Sequence, residues 1–136
     1  MLDPMKKIEA VIRREKFEAV DEALKNIGVG GLTLEEVKGR GRTRVITTVH
    51  MRGTWTQEDE YIRHTKLEII SKDDQVSKVI NTILSSATTG ASGDGKIFVT
   101  NVEQFWDIGT KQSGAEAADI EGNPPVKERA ASNRKS

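Results

Sequence analysis

The sequence predicts an α+β domain in which two β-α-β units form one antiparallel sheet with both helices on one face, the ferredoxin-like sandwich. Three observations predict this fold. A strand-like, a helical and a second strand-like pattern follow one another near the N-terminus, and the same order returns after residue 64. A long segment without periodicity separates the two units. The 136 residues suffice for one domain with a small core.

The first unit begins with a predicted strand at residues 6–13, followed by a predicted helix at residues 17–27. The strand carries aliphatic residues typical of a sheet. The helix has apolar residues at spacings of three and four, namely Phe17, Val20, Leu24 and Ile27. A glycine-rich turn at residues 28–31 ends this helix, and residues 32–37 predict the second strand.

The second unit repeats this order with a strand at residues 65–71, a helix at residues 74–87 and a strand at residues 96–101. Asp73 or Asp74 is expected to cap the helix. Its apolar stripe comprises Val76, Val79, Ile80, Ile83, Leu84 and Ala87.

A glycine-rich loop connects the second helix to the last strand. Residues 89–96 read Thr-Gly-Ala-Ser-Gly-Asp-Gly-Lys. Closely spaced glycines let backbone N–H groups approach a ligand and hold phosphate oxygens, and Lys96 adds a cation. The residue order differs from that of a Walker A motif. The loop is therefore either a plain helix-to-strand connection or a phosphate-binding segment.

The composition argues against several classes of function. Charge is balanced, with 21 basic and 21 acidic residues, so no net field favours nucleic acid or an anionic membrane. The apolar runs are far shorter than the roughly 20 residues that cross a bilayer, and the N-terminus lacks the pattern of a signal peptide. The chain has no cysteine, and His50 and His64 lack the spacing of a metal site. We expect a cytoplasmic protein without metal or catalytic residues.

Two segments fall outside the periodic pattern. Residues 43–64 show no sustained period, apart from a possible hairpin segment at residues 45–49, and a loop of this length in a compact domain is usually functional. Residues 119–136 contain few large aliphatic residues and predict a disordered tail. Because helices on one side leave the other sheet face uncovered, self-association is expected.

Several motifs resemble those of the PII signal-transduction proteins, the trimeric regulators of nitrogen status. The resemblance covers about residues 5–118, after an N-terminal extension of residues 1–4. The motifs are MKKIEAVI at 5–12, EVKGRGR at 36–42, KLEI at 66–69, and TG followed by GDGKIFV within 89–99.

The resemblance implies a ferredoxin-like homotrimer that binds adenine nucleotides in three clefts between subunits. The segment at about residues 43–64 would be the T-loop, which contacts the regulated protein. Residues 89–96 would be the phosphate-holding B-loop, and residues 108–114 the C-loop. The positions that match the nucleotide site of the family are Thr33, Gly39, Gly41, Arg42, Glu68, Thr89, Gly93, Asp94, Gly95 and Lys96.

The chain departs from the family pattern at four places. Asp107 and Gly109 replace two arginines after the last core strand, which disfavours ATP more than ADP or AMP because ATP carries more charge. Thr43 replaces a glutamine and His64 a lysine, and both changes count against Mg²⁺ and 2-oxoglutarate as ligands. The tyrosine that many members modify by uridylylation falls near Thr56, so this modification is not expected.

The leading hypothesis is a non-catalytic regulator in which ATP, ADP or AMP selects among T-loop conformations. Met51, Trp55 and Tyr61 are the candidate partner contacts, since large amphipathic side chains suit interface anchors. The resemblance implies an ammonium transporter or a nitrogen-metabolism enzyme as partner, or a bicarbonate or metal transporter. Contact with a membrane is then only indirect.

Three alternatives differ in their ligand or activity. One is a sensor of AMP or ADP, a cyclic nucleotide or bicarbonate without a 2-oxoglutarate response. Another is an enzyme with slow ATP hydrolysis, against which stands the lack of a candidate base other than Asp94. The third is a purely structural trimer similar to the divalent-tolerance proteins, against which the Gly-Asp-Gly-Lys loop counts.

Overall fold

A computed structural model describes residues 4–40, 47–50, 53–56 and 61–114, of which 47–50 and 53–56 are described by their backbone. Within these ranges the chain forms six strands and two α-helices. They are β1 (Met5–Arg13), α1 (Phe17–Asn26), β2 (Thr33–Gly39), β3 (Thr47–His50), β4 (Gly53–Thr56), β5 (Ile62–Lys72), α2 (Val76–Ala87) and β6 (Gly95–Val102).

The main sheet has the strand order β2-β5-β1-β6, and each neighbouring pair is antiparallel. The register places Ile8 opposite Ile69 and Ala10 opposite Leu67, so these side chains share one face. All four are buried in one cluster with residues of both helices. These residues are Val20 and Leu24 of α1, and Val79, Ile83 and Ala87 of α2. This arrangement confirms the predicted ferredoxin-like α+β fold.

The sheet face opposite the helices, here called the open face, carries charged and apolar side chains. Glu68, Glu9 and Phe98 lie opposite one another across β5, β1 and β6. Phe98, a large apolar residue on the edge strand β6, keeps 47% of its surface exposed. The single chain therefore leaves this face without an apolar cover among the described residues.

The element boundaries differ from the predicted ones where pairing or turn geometry decides them. Residues 62–64 fall within the segment predicted as a T-loop, yet they belong to β5 because they pair with Val37–Gly39 at the end of β2. Asp73 and Asp74 do not cap α2. They lie in a short 3₁₀ turn, Asp73–Gln75, and no side chain caps the helix that follows.

Inside the predicted T-loop, β3 and β4 form a two-stranded antiparallel hairpin with Thr47 opposite Thr56. The first described residue of β3, Thr47, falls within the strand pattern predicted at residues 45–49. The predicted disordered tail, residues 119–136, lies outside the described residues. No helix in the described part of the chain is long and apolar enough to cross a bilayer.

Candidate functional site

The ends of β2, β5 and β1 meet beneath the glycine-rich loop at one end of the open face. Val37, His64 and Arg13 lie opposite one another in these strands, so their side chains point to the same side. Arg13 donates a hydrogen bond to a backbone oxygen of the loop. A ring nitrogen of His64 lies 2.9 Å from the Gly93 carbonyl oxygen. Two side chains of the sheet therefore hold the loop over this row.

Asp94 organises the loop from within. Its carboxylate accepts hydrogen bonds from the Thr89 backbone N–H at 2.9 Å, the Gly90 N–H at 3.0 Å and the Thr89 hydroxyl. The guanidinium of Arg13 donates to it at 2.8 Å. The Thr89 hydroxyl bond, followed by the Arg13 bond, holds the pKa of Asp94 well below its usual range. Asp94 is therefore an ionised anchor of the loop.

This bonding changes the roles expected for two predicted site residues. The N–H groups of Thr89 and Gly90 point to the Asp94 carboxylate, so they are engaged inside the loop. With four hydrogen bonds accepted, Asp94 has little capacity left for a proton or a metal ion. Thr89 and Asp94 thus shape the loop, and residues 91–96 line the neighbouring cleft.

Gly95 cannot carry a side chain in this structure. Its φ of +115° is unfavourable for L-residues, and a Cβ at this position would lie 1.7 Å from the Val11 carbonyl oxygen. The close approach lets the loop enter β6 directly alongside β1. The glycine at this position is a requirement of the backbone.

His64 joins the loop to the base of the predicted T-loop. The side chain is 6% exposed, and its second ring nitrogen, Nδ1, lies 3.0 Å from the Ile62 carbonyl oxygen. A Cβ on Gly39 would lie 3.9 Å from the same nitrogen. The imidazole therefore fills the space between Gly39 and Gly93, and both its ring nitrogens face carbonyl oxygens.

A cleft of about 640 Å³ lies beside this cluster, within the size range of small-molecule sites. It is lined by Gly39 at the end of β2, by Arg40 directly after it, and by Gly93 and Lys96 of the loop. The Nζ of Lys96 lies 5.8 Å from the centroid of the Phe98 ring. Further residues of the sheet and the loop also line the cleft, namely Val11, Ile62, His64, Ala91, Ser92, Asp94 and Gly95.

The structure brings five of the predicted nucleotide-site residues to the cleft and leaves Thr89, Thr33 and Glu68 outside its lining. Gly39, Gly93, Asp94, Gly95 and Lys96 line the cleft.

Thr33 and Glu68 lie opposite each other in β2 and β5, on the open face. Glu68 is four positions beyond His64 along β5, or about 13 Å at the usual rise of a strand. Within one chain this pair does not line the cleft. Gly41 and Arg42 lie outside the described residues.

The predicted C-loop is a tight turn built around Asp107. The Asp107 carboxylate accepts hydrogen bonds from the Thr110 N–H at 2.8 Å and from the Thr110 hydroxyl at 3.2 Å. These bonds, the N–H first, lower the pKa of Asp107. Trp106 and Ser113 pair across the turn, and Lys111 adopts a φ of 61°. Asp107, at a position where the resemblance implies an arginine, therefore uses its carboxylate for hydrogen bonds within the turn.

Three roles were not predicted from the sequence: Arg13 and His64 as residues that hold the loop, and Asp107 as a residue that forms the turn. Arg13 and Asp94 are 81 positions apart, so no local pattern links them. The Asp-x-x-Thr spacing of residues 107–110 is a local turn signal and was available in the sequence.

The candidate partner contacts are described unequally. Tyr61 is 53% exposed, and its ring centroid lies 6.0 Å from the Arg40 guanidinium carbon. The backbone of Trp55 lies in β4, whereas Met51 is outside the described residues. Among the described residues, no group of three or more His, Asp or Glu side chains is arranged to hold a metal ion.

Comparison with known proteins identifies the family. The family model described as nitrogen regulatory protein P-II matches residues 5–112. The chain is 42% identical over 113 residues to the nitrogen regulatory protein P-II of Microchaete diplosiphon, covering 83% of this chain and 99% of that protein. It is 45% identical over 113 residues to P-II 2 of Methanothermobacter thermautotrophicus, covering 83% and 96%.

A solved structure agrees with the sequence matches. The crystal structure of Arabidopsis thaliana PII bound to citrate superposes with a TM-score of 0.69 at 36% identity. The match covers 85% of this chain and 92% of the Arabidopsis chain. With a family model that spans most of its length and relatives at this identity, the chain belongs to the nitrogen regulatory protein P-II family.

Proposed function

We propose that this chain is a non-enzymatic regulator that binds an adenine nucleotide beside the glycine-rich loop and controls a partner through its T-loop. One observation carries the proposal. The loop and Gly39, which ends β2 at the base of the predicted T-loop, line one cleft of about 640 Å³. A ligand that touches both the loop and Gly39 acts on the base of the T-loop. Membership of a regulatory family supports this function.

The charges along the cleft favour a phosphate group. Lys96 and Arg40 both line it, and the Arg13 charge is offset by Asp94 at 2.8 Å. The loop is preformed by the Asp94 hydrogen bonds, so little ordering cost remains when an anion binds. The glycines leave its backbone accessible to phosphate oxygens.

We propose a homotrimer in which the nucleotide site is completed between subunits. Thr33 and Glu68 match the family site, yet they lie about 13 Å along the sheet from His64 and outside the cleft of their own chain. Contact between open faces of neighbouring copies would bring the Thr33–Glu68 pair of one copy to the cleft of another. The exposed Phe98 on the same face supports such contact.

For the partner we propose a transporter or a nitrogen-metabolism enzyme in the cytoplasm, reached through Met51, Trp55 and Tyr61 of the T-loop. The exposure of Tyr61 supports its role as a contact. Contact with a membrane is indirect, through a transporter, and nucleic acid is not a partner. A hydrolytic activity is not proposed, because Asp94 is engaged by four donors and is a poor base.

A second candidate function is a sensor of AMP or ADP that does not respond to 2-oxoglutarate. The position of His64 favours it. A lysine in the family would offer a mobile cation to a carboxylate, whereas both ring nitrogens of His64 are already directed to the Gly93 and Ile62 carbonyl oxygens. A 2-oxoglutarate carboxylate would have to displace one of these contacts.

Isothermal titration of the full chain with ATP, ADP and AMP, each with and without Mg²⁺ and 2-oxoglutarate, tests both candidates. We expect saturable nucleotide binding with one site per chain and no change when 2-oxoglutarate is added. If 2-oxoglutarate tightens ATP binding, the second candidate is wrong. If no adenine nucleotide binds, the proposed site is wrong.

A further inference from the structure

We propose that His64 is a positioning residue that makes anion binding by the glycine-rich loop depend on pH, with tighter binding at lower pH. The inference rests on the proposed nucleotide function. It is carried by the position of a buried imidazole between two carbonyl oxygens, one in the loop and one at the start of β5.

The two contacts have similar geometry. His64 Nε2 lies 2.9 Å from the Gly93 oxygen, and Nδ1 lies 3.0 Å from the Ile62 oxygen. Carbonyl oxygens only accept hydrogen bonds. A neutral imidazole has one N–H, so one of its nitrogens must then direct a lone pair at a carbonyl oxygen. An imidazolium has two N–H groups and donates to both oxygens.

The protonation state of His64 therefore decides whether the ring links the loop to the T-loop base by two hydrogen bonds. The charged ring connects Gly93 to Ile62 and stays beside Gly39. The neutral ring can donate to only one of the two carbonyl groups at a time, so His64 loses its hydrogen bond either to the loop or to the start of β5. Histidine is the side chain that ordinarily changes charge between about pH 5 and pH 8.

The charged neighbours determine how an anion couples to this proton. From β1, Arg13 lies opposite His64, and its guanidinium pairs with Asp94 at 2.8 Å and Glu15 at 3.8 Å. From β2, the strand partner is the apolar Val37.

Two further cations line the adjoining cleft, Arg40 at the end of β2 and Lys96 beyond the loop. A protonated His64 adds to this positive charge, which an incoming phosphate offsets. Anion binding and protonation must therefore promote each other by linkage. Binding is expected to take up a proton.

The test uses the full chain with ADP in the absence of Mg²⁺. Affinity is measured by titration calorimetry from about pH 6 to about pH 8, where histidine titrates. Buffers of different ionisation enthalpy give the number of protons taken up. His64→Gln keeps an N–H donor group and an acceptor oxygen but does not titrate. His64→Lys keeps a permanent charge. His50→Gln removes the other histidine of the chain as a control.

As the pH falls from about 8 to about 6, we expect the affinity of the native chain to rise relative to His64→Gln by about threefold or more, within the limit of tenfold per pH unit for one proton. Comparison with His64→Gln cancels the protonation of ADP itself. His64→Lys should lack the added pH dependence, and His50→Gln should retain it. Proton uptake that is equal in the native chain and in His64→Gln overturns the proposal. A His64→Gln effect of the same size at every pH assigns a purely structural role and also overturns it.

A second measurement separates this proposal from the proposed function. In the ligand-free protein, amide NMR signals of Gly93 and Gly95 should shift with pH along the titration of the His64 ring, and His64→Gln should abolish the shift. If ADP does not bind, the nucleotide function fails, while this titration still tests the link between His64 and the loop. If the amide signals of Gly93 and Gly95 do not change with the protonation of His64, the proposed link between His64 and the loop is wrong.

Discussion

Gly95→Ala is the substitution for which the structure predicts the most definite effect. The added Cβ would lie 1.7 Å from the Val11 oxygen, whereas folded proteins essentially never place a Cβ closer than 3.0 Å to such an atom. The backbones of Gly95 and Val11 must therefore move apart by about 1.3 Å, because the distance from the added Cβ to the Val11 oxygen has to grow from 1.7 to 3.0 Å. Gly95 is opposite Ile12 at the start of β6, so this shift disrupts the β1–β6 pairing where the loop enters the sheet.

The expected cost combines two contributions. A non-glycine residue in an unfavourable positive-φ conformation costs on the order of 1–3 kcal/mol. Overpacking that moves the backbone costs typically about 1–3 kcal/mol more. We therefore expect Gly95→Ala to lower the free energy of unfolding by about 2–5 kcal/mol, allowing for partial relaxation of the strand ends.

Urea unfolding followed by circular dichroism measures this change at one fixed chain concentration, because the proposed assembly would make stability depend on concentration. Gly31→Ala is the matched control, since its Cβ meets nothing within 4 Å. This control should change stability by less than about 1 kcal/mol. A Gly95→Ala chain within about 0.5 kcal/mol of the native chain, the usual range of harmless surface changes, would refute the reasoning.

Three further predictions concern the loop and the C-loop. Lys96→Ala should weaken ADP binding by about 1.5–3 kcal/mol, the range of a hydrogen bond to a charged group. The oligomeric state, measured by light scattering, should not change. An unchanged affinity would show that Lys96 is not part of the site. Asp94 has a pKa below that of the unfolded chain, so its contribution to stability is present at neutral pH and is lost as the solution is acidified below about pH 4. Asp94→Asn should lower the urea midpoint at pH 7 and flatten its acid dependence, and an acid limb equal to that of the native chain contradicts this. Lys111→Gly should stabilise the chain by about 0.5–1 kcal/mol, because φ is 61° at this residue; a loss of stability shows that the conformation carries no strain.

The periodicity of the sequence predicted the elements of the fold because it reports burial along one element at a time. The stripe of α2 was predicted, and its members Val79, Ile83 and Ala87 are buried in the core. Alternation likewise predicted the central part of β5. The ends of the strands could not be predicted as well. The strand β5 extends back to Ile62 because it pairs with β2, and the local sequence pattern does not show this pairing.

Sequence by itself determined the family motifs, the glycine-rich loop and the positions of the strands and helices that carry it. It determined them because glycine conformation and apolar spacing are local properties. The tertiary structure decided which groups remain available for chemistry. Asp94 is occupied by donors from its own loop and from Arg13, and His64 is held between the carbonyl groups of Ile62 and Gly93. The decisive partners, Arg13 for Asp94 and Gly93 for His64, lie 81 and 29 positions away, and only folding brings them within hydrogen-bond distance.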